Sequence, residues 1–214
     1  MVGFDPYKNR EQEHHMKDEL AARQNKILTI LQQEMEDGEE MAAAVRKLAE
    51  PVLLEEKGYT PEDIRKNVAF DVVLGTETVQ SRVDFLVSLD KRNAMVIKCA
   101  AGSLGSRERH VVAAARVLGE LPVPVAVVMD PMSAVVLDGV SGTVLGEGFE
   151  AIPTKEQLSK IVSGREIMPL PPEKLEREKR VLLAFDAIRC CIPKGADGGV
   201  KLDAVEEDKS CSCD

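Results

Sequence analysis

Over Val123–Met129 the chain carries seven residues without a charge or a polar side chain, four of them the β-branched Val. A run this short and this apolar reads as a strand buried on both faces, and such strands occur in sheets that helices cover on both sides. The rest of the chain then has to supply those helices and the neighbouring strands.

The preceding residues meet that demand. Val68–Leu74, Ser81–Leu89 and Ala94–Ala100 are short β-branched and apolar runs, separated by Gly75 and by the turn residues Asp90, Lys91, Arg92 and Asn93. They predict three consecutive antiparallel strands. Gly102 to Ser106 reads as a loop, and Arg107 to Gly119 as a helix with Val111, Val112, Ala115, Val117 and Leu118 on its apolar side. After the buried strand, Ala134–Leu137 and Gly142–Leu145 flank a turn at Asp138 and Gly139 and predict a terminal hairpin.

Upstream, Met41, Val45, Leu48, Val52 and Leu53 recur at helical spacing, with Pro51 expected to kink or split the helix and Gly58 to stop it. Thr60, Pro61 and Glu62 predict a short capped helix ending near Asn67. Downstream, Thr154 caps a helix to about Ser163, and Pro171 and Pro172 precede another over Glu173 to Cys191. The expected organisation is a helical extension over 1–38, an α/β core over 39–153, helices packing on it over 154–192, and a disordered Cys-containing tail over 193–214. The sheet is expected to be mixed, with four or five strands.

Charge narrows the classes of partner. Of the net −9, all but −1 lies outside Met41–Arg165, where 16 acidic and 15 basic side chains nearly cancel. A nucleic-acid binder is marked by clustered Lys and Arg, and no such excess is present. No apolar run approaches the roughly 20 residues of a membrane span, and the first 30 residues are charged throughout. The expectation is a soluble, cytoplasmic chain that binds no membrane, with its thiols reduced.

Two charged residues interrupt the apolar strands. Asp84 lies among Val83, Phe85, Leu86 and Val87, and Lys98 follows Met95, Val96 and Ile97. Strict alternation puts Asp84 on a face with Leu86 and Ser88, and Lys98 on one with Val96 and Ala100. A hairpin between the two strands lets the charges meet on one face, each compensating the burial of the other.

At these residues the sequence resembles the PD-(D/E)XK nuclease superfamily, and more closely the N-terminal domain of type I restriction enzyme R subunits. The resemblance runs from about Val45 to Thr154. It is carried by Val45-Arg46-Lys47 to Glu56-Lys57-Gly58-Tyr59, by Arg82-Val83-Asp84-Phe85-Leu86-Val87, by Met95-Val96-Ile97-Lys98, and by Gly102-Ser103-Leu104 with the helix after it. The run from Lys179-Arg180 through Ala184-Phe185-Asp186 looks like the end of small stand-alone proteins with this domain. The resemblance implies an α/β, restriction-endonuclease-like central mixed sheet flanked by helices, with N- and C-terminal helical extensions. It also implies Mg²⁺-dependent endodeoxyribonuclease chemistry, with Asp84 and Lys98 as catalytic residues and Asp84 as metal ligand.

The second acid of such a site falls at position 96, which is Val96, and the helix residues Arg107, Glu108, Arg109 and His110 include no Gln. Hard cations depend on carboxylate number and charge, so the resemblance predicts a degenerate nuclease acting as a DNA-associated or interaction module. The alternatives are an active nuclease in which Glu50, Glu77 or Asp71 replaces the missing acid, and a structural protein that recruits a partner, or a second copy, through its helical ends.

Other features have milder readings. Arg107, Arg109 and Arg116 can form a small phosphate-contacting patch beside His110, or pair with Glu108 and Glu120 on a solvated face. His14 and His15 read as solvated. Cys190, Cys191, Cys211 and Cys213 lack the paired C-x₂-C spacing of common zinc sites, and Cys99 reads as a buried structural thiol.

Overall fold

The computed structural model describes residues 26, 29, 30, 33, 36–100 and 104–190, the side chains of residues 106 and 187–190 excepted. The following concerns the compact unit Met35–Cys191. His14, His15, Cys191, Cys211, Cys213 and the tail 193–214 lie outside the described residues.

Helix α1 covers residues 36–51 and passes directly into a π-helical turn, Val52–Glu56, in which the Lys57 N–H donates to the Val52 carbonyl at 3.0 Å. Pro51 therefore does not split the helix. It has no N–H to give to the preceding turn, and the wider π turn takes up the mismatch. Gly58, at φ 73°, ends the segment as expected.

The short helix expected up to Asn67 is reduced to a single 3₁₀ turn, Pro61–Asp63, capped reciprocally by Thr60 and Asp63. Strand pairing has overridden local helix propensity here, since β1 begins at once and covers Ile64–Leu74. It pairs antiparallel with β2, Glu77–Leu89, as far back as Ile64 opposite Val87.

Strand β3, Arg92–Cys99, follows β2 through a turn in which Asp90 and Lys91 both take left-handed backbone angles, the geometry that suits the twist of a tight hairpin. Helix α2, Gly105–Val117, then crosses over to β4, Val125–Met129, which lies parallel to β3. β5, Ala134–Asp138, and β6, Val144–Glu147, continue antiparallel. The terminal hairpin thus extends the central sheet, giving six strands in the order β1-β2-β3-β4-β5-β6 rather than four or five. α3, Lys155–Ser163, is capped by Thr154 and Gln157, and α4, Pro172–Cys190, closes the described chain.

The layers follow from which residues are apolar. On one face Val45 and Ala49 of α1, Leu53 of the π-helical turn and Leu158 of α3 meet Phe85, Met95, Ile97 and Val127. On the other, Val111 and Ala115 of α2 and Leu182 of α4 meet Leu86, Val96 and Val128. Residues Val125 to Val128 are fully buried, as the opening run demanded. The result is an α/β fold with a mixed sheet between two helical layers.

Gly139 shows how closely the β4 and β5 ends approach. Its N–H donates to the Pro124 carbonyl at 2.8 Å, and a Cβ built on it would stand 1.9 Å from the Val123 carbonyl oxygen. Backbone cannot yield as a side-chain tip can. Gly139→Ala is expected to destabilise the fold by about 3 kcal/mol, the upper part of the overpacking range, as a lowered urea midpoint with an unchanged slope.

Candidate functional site

The β1–β2 ladder skips one rung. Lys66 pairs with Phe85 and Val68 with Val83, while Asn67 and Asp84 between them do not pair, and Asn67 takes φ 51°. Each strand changes faces at this point. In β2, Val83 lies in the core against α2 and α4, whereas Phe85, Val87 and Leu89 lie in the core against α1 and α3. In β1, Val68, Phe70 and Leu74 pack on the first core and Ile64 on the second.

This irregularity overturns the expected meeting of Asp84 and Lys98. Asp84 does not share a face with Leu86; it turns toward α1, where Arg46 Nη1 donates to its Oδ1 at 3.0 Å. Its Oδ2 accepts from the backbone N–H of Cys99 at 2.8 Å. That N–H lies just beyond the β2–β3 ladder, whose last pair is Phe85 with Ile97. Lys98 sits between Val96 and Ala100, both in the core against α2 and α4, and its Nζ donates to the Arg82 carbonyl at 2.6 Å. Asp84 pairs with Arg46, which stands in the run Val45-Arg46-Lys47 but whose helical spacing gave no sign of this pairing.

Asp84 forms the floor of an open groove with Arg46, Glu50, Lys66, Asn67 and Phe85. Of the three acids considered as replacements for position 96, Glu50 is the one in this groove, where it pairs with Lys66. Asp71 and Glu77 lie farther along the β1–β2 hairpin, opposite Gln80 and Leu74. Val96, where a nuclease carries an acid, is fully buried. Each groove carboxylate is paired with a cation, Asp84 with Arg46 and Glu50 with Lys66, and no group of three or more His, Cys, Asp or Glu able to hold a metal occurs among the described residues. Cys99 is a buried thiol in the α1-side core, its pKa pushed well up by burial and by Asp84.

The face that holds Lys98 carries a second set of charges. Arg116 is buried, its Nε donating to the Gly139 carbonyl at 3.0 Å, its Nη2 to Val140 at 2.7 Å and its Nη1 to Glu178 at 2.8 Å. Arg109 pairs with the other oxygen of Glu178. The acid that answers these arginines is thus in α4, not Glu108 or Glu120, and Arg116 is not exposed for phosphate. Arg107, on the first turn of α2, has no ion pair among the described residues.

One helical turn beyond Arg107, His110 Nε2 meets Asp186 at 3.3 Å, and its ring stacks on Phe185 at 4.8 Å between centroids. Among the described residues His110 Nδ1 has no hydrogen-bond partner, and Ser81 Oγ lies beside Asp186 without the geometry of a full hydrogen bond. Glu178, Leu182 and Asp186 fall at i, i+4 and i+8 on one buried stripe. Two acids on an otherwise apolar stripe are the available sequence signal.

Removing the Asp84 carboxylate leaves the buried Cys99 N–H without its acceptor and leaves Arg46 with Glu39 as its carboxylate partner, so Asp84→Ala should lower stability by about 2–3 kcal/mol, more than Arg46→Ala, whose side chain is partly solvated. Burial holds His110 below its ordinary pKa of 6.5, with Asp186 only partly opposing it. The unfolded chain therefore binds a proton that the folded chain refuses. This contribution is complete above about pH 6.5 and is lost as pH falls through that value, so the urea midpoint should drop between about pH 7 and pH 5, and His110→Gln should flatten the slope.

The family model described as type I restriction enzyme R protein N terminus matches residues 39–153, just over half of the chain. No curated protein and no solved structure matches. The matched segment contains the whole six-stranded sheet, α1 from its fourth described turn residue onward, α2, and both strands that carry Asp84 and Lys98. On that match the chain belongs to the family of type I restriction enzyme R protein N-terminal domains.

Proposed function

We propose that this chain is a nuclease-fold domain without phosphodiester-hydrolysing activity, serving as a binding module. The observation that carries the reading is the occupation of Asp84: both carboxylate oxygens are held by protein donors, Arg46 on one side and the Cys99 N–H on the other. A metal at Asp84 would have to displace one of them. Displacing Arg46 leaves a guanidinium facing a divalent cation, and displacing the N–H leaves a buried donor without a partner.

Val96 supports the same reading. A carboxylate at that position would stand opposite Leu86 and Ala126, in the apolar core against α2 and α4. Lys98, the residue that would activate water in a nuclease, instead fills a structural position, tied to the carbonyl of Arg82.

The experiment is incubation of the purified chain with duplex and single-stranded DNA in Mg²⁺ or Mn²⁺. No cleavage above background is expected, and none should be added or lost with Asp84→Asn. Cleavage that disappears with both Asp84→Asn and Glu50→Gln would refute the reading and identify the groove as a working metal site.

A further inference from the structure

A second groove, of about 390 Å³, lies between α3 and the β6 side of the sheet and shares no lining residue with the groove over Asp84. Val125 of β4, Val136 of β5 and Leu145 of β6 line it from the sheet, three adjacent strands that together span about 10 Å, and Ala151, Pro153 and Ile161 line it from the other side. An irregular rung puts Leu145 there. Val144 pairs with Leu137 and Gly146 with Val136, so Leu145 is the extra residue of a bulge, a device that re-aims a side chain. Gly146 lets the far wall close in, since a Cβ on it would stand 2.8 Å from that of Ala151.

Two of the lining residues are polar, Gln157 and Lys160, and they stand one turn apart on α3. Both present donors. Gln157 Oε1 accepts from the Thr154 N–H at 2.8 Å in the helix cap, which fixes the amide and leaves its two N–H groups as what it offers to the groove. Lys160 has no ion pair among the described residues, whereas cations at either end of α3 are matched, Lys155 by Asp63 and Arg165 by Asp138. The rim therefore carries one unmatched positive charge and an amide oriented as a donor, with no carboxylate among the lining residues.

We propose that this groove binds a small amphiphilic carboxylate, its alkyl chain against the apolar lining and its carboxylate between Lys160 Nζ and the Gln157 amide. An apolar cleft with a few polar groups at one side is the usual make-up of a small-molecule site, and donors without an acceptor select an anion over an alcohol or an amine. One ammonium matches one negative charge. The body of the ligand is an aliphatic chain because the walls are aliphatic and cross three strands. Leu145, 54% exposed, gives up apolar surface to water that such a chain would cover. The inference stands apart from the reading of Asp84, with which it shares neither residues nor chemistry.

The test is a titration of the full chain with sodium octanoate below its micellar concentration, followed by methyl and amide NMR. Saturable shifts are expected at Leu145 and Ile161, with a Kd of about 0.1–1 mM for so small a ligand. Lys160→Gln is expected to weaken binding about tenfold, the loss of one charge-assisted hydrogen bond. Gln157→Glu keeps an acceptor for the Thr154 N–H but replaces the donor by a negative charge, and is expected to abolish binding. Both side chains are exposed, so the variants should keep the native fold and unfolding midpoint.

Two further probes separate head from body on the native chain. Octanol, with the chain and no charge, should bind at least tenfold more weakly than octanoate, and acetate, with the charge and no chain, should give no saturable shift. Octanol binding as tightly as octanoate, native affinity in either variant, or octanoate shifts that do not saturate or that centre on Phe85 in the other groove would each overturn the proposal. So would naphthoate binding at Leu145 and Ile161 where octanoate does not, since the groove would then be taking a ring.

Discussion

One carboxylate holds three parts of this fold in register. Where β1 and β2 exchange faces, a rung of the sheet is lost, and the N–H of Cys99 comes to lie beyond the end of the β2–β3 ladder. A buried donor there needs an acceptor, and Asp84 Oδ2 supplies it. An almost fully buried carboxylate in turn needs positive charge, and Arg46 supplies that from α1. The position of α1, the kink in the outer strands and the end of β3 are therefore coupled through a few hydrogen bonds.

The proposed non-catalytic reading rests on this coupling. A hydrolytic site needs acids whose charge remains available to a metal, whereas the acids here are bound to the protein itself. The changes are mutually consistent: an apolar residue at 96 fills the core beneath α2, the retained Lys98 bonds to main chain, and α4 brings its own acids to the Lys98 side.

Periodicity alone made much of the architecture legible. The seven apolar residues before Asp130 demanded a doubly covered strand, and the turn residues between Leu89 and Ala94 marked the hairpin. The face assignment of Asp84 was not legible, because alternation holds only where the strand is regular and nothing around Asn67 announced a left-handed residue inside a strand. Asn is one of the few non-glycine residues that adopts this conformation with ease, but a single Asn carries little information. Charge pairings failed for a different reason. Arg109 and Arg116 have acidic neighbours in sequence, yet their partner is 62 or more residues away, a distance that only tertiary packing can close.

The left-handed Asn67 also changes what β1 presents to other molecules. β1 is an eleven-residue outer strand, long enough to offer a neighbouring chain an extended row of unpaired main-chain groups. A bend at its third position after Ile64 divides that row into two short pieces aimed in different directions, and Arg65 and Lys66 place charge on the shorter one. Flat, continuous edges invite sheet-to-sheet zippering. The same distortion that aims Asp84 at α1 thereby makes the outer edge of the described sheet a poorer template for pairing with another chain.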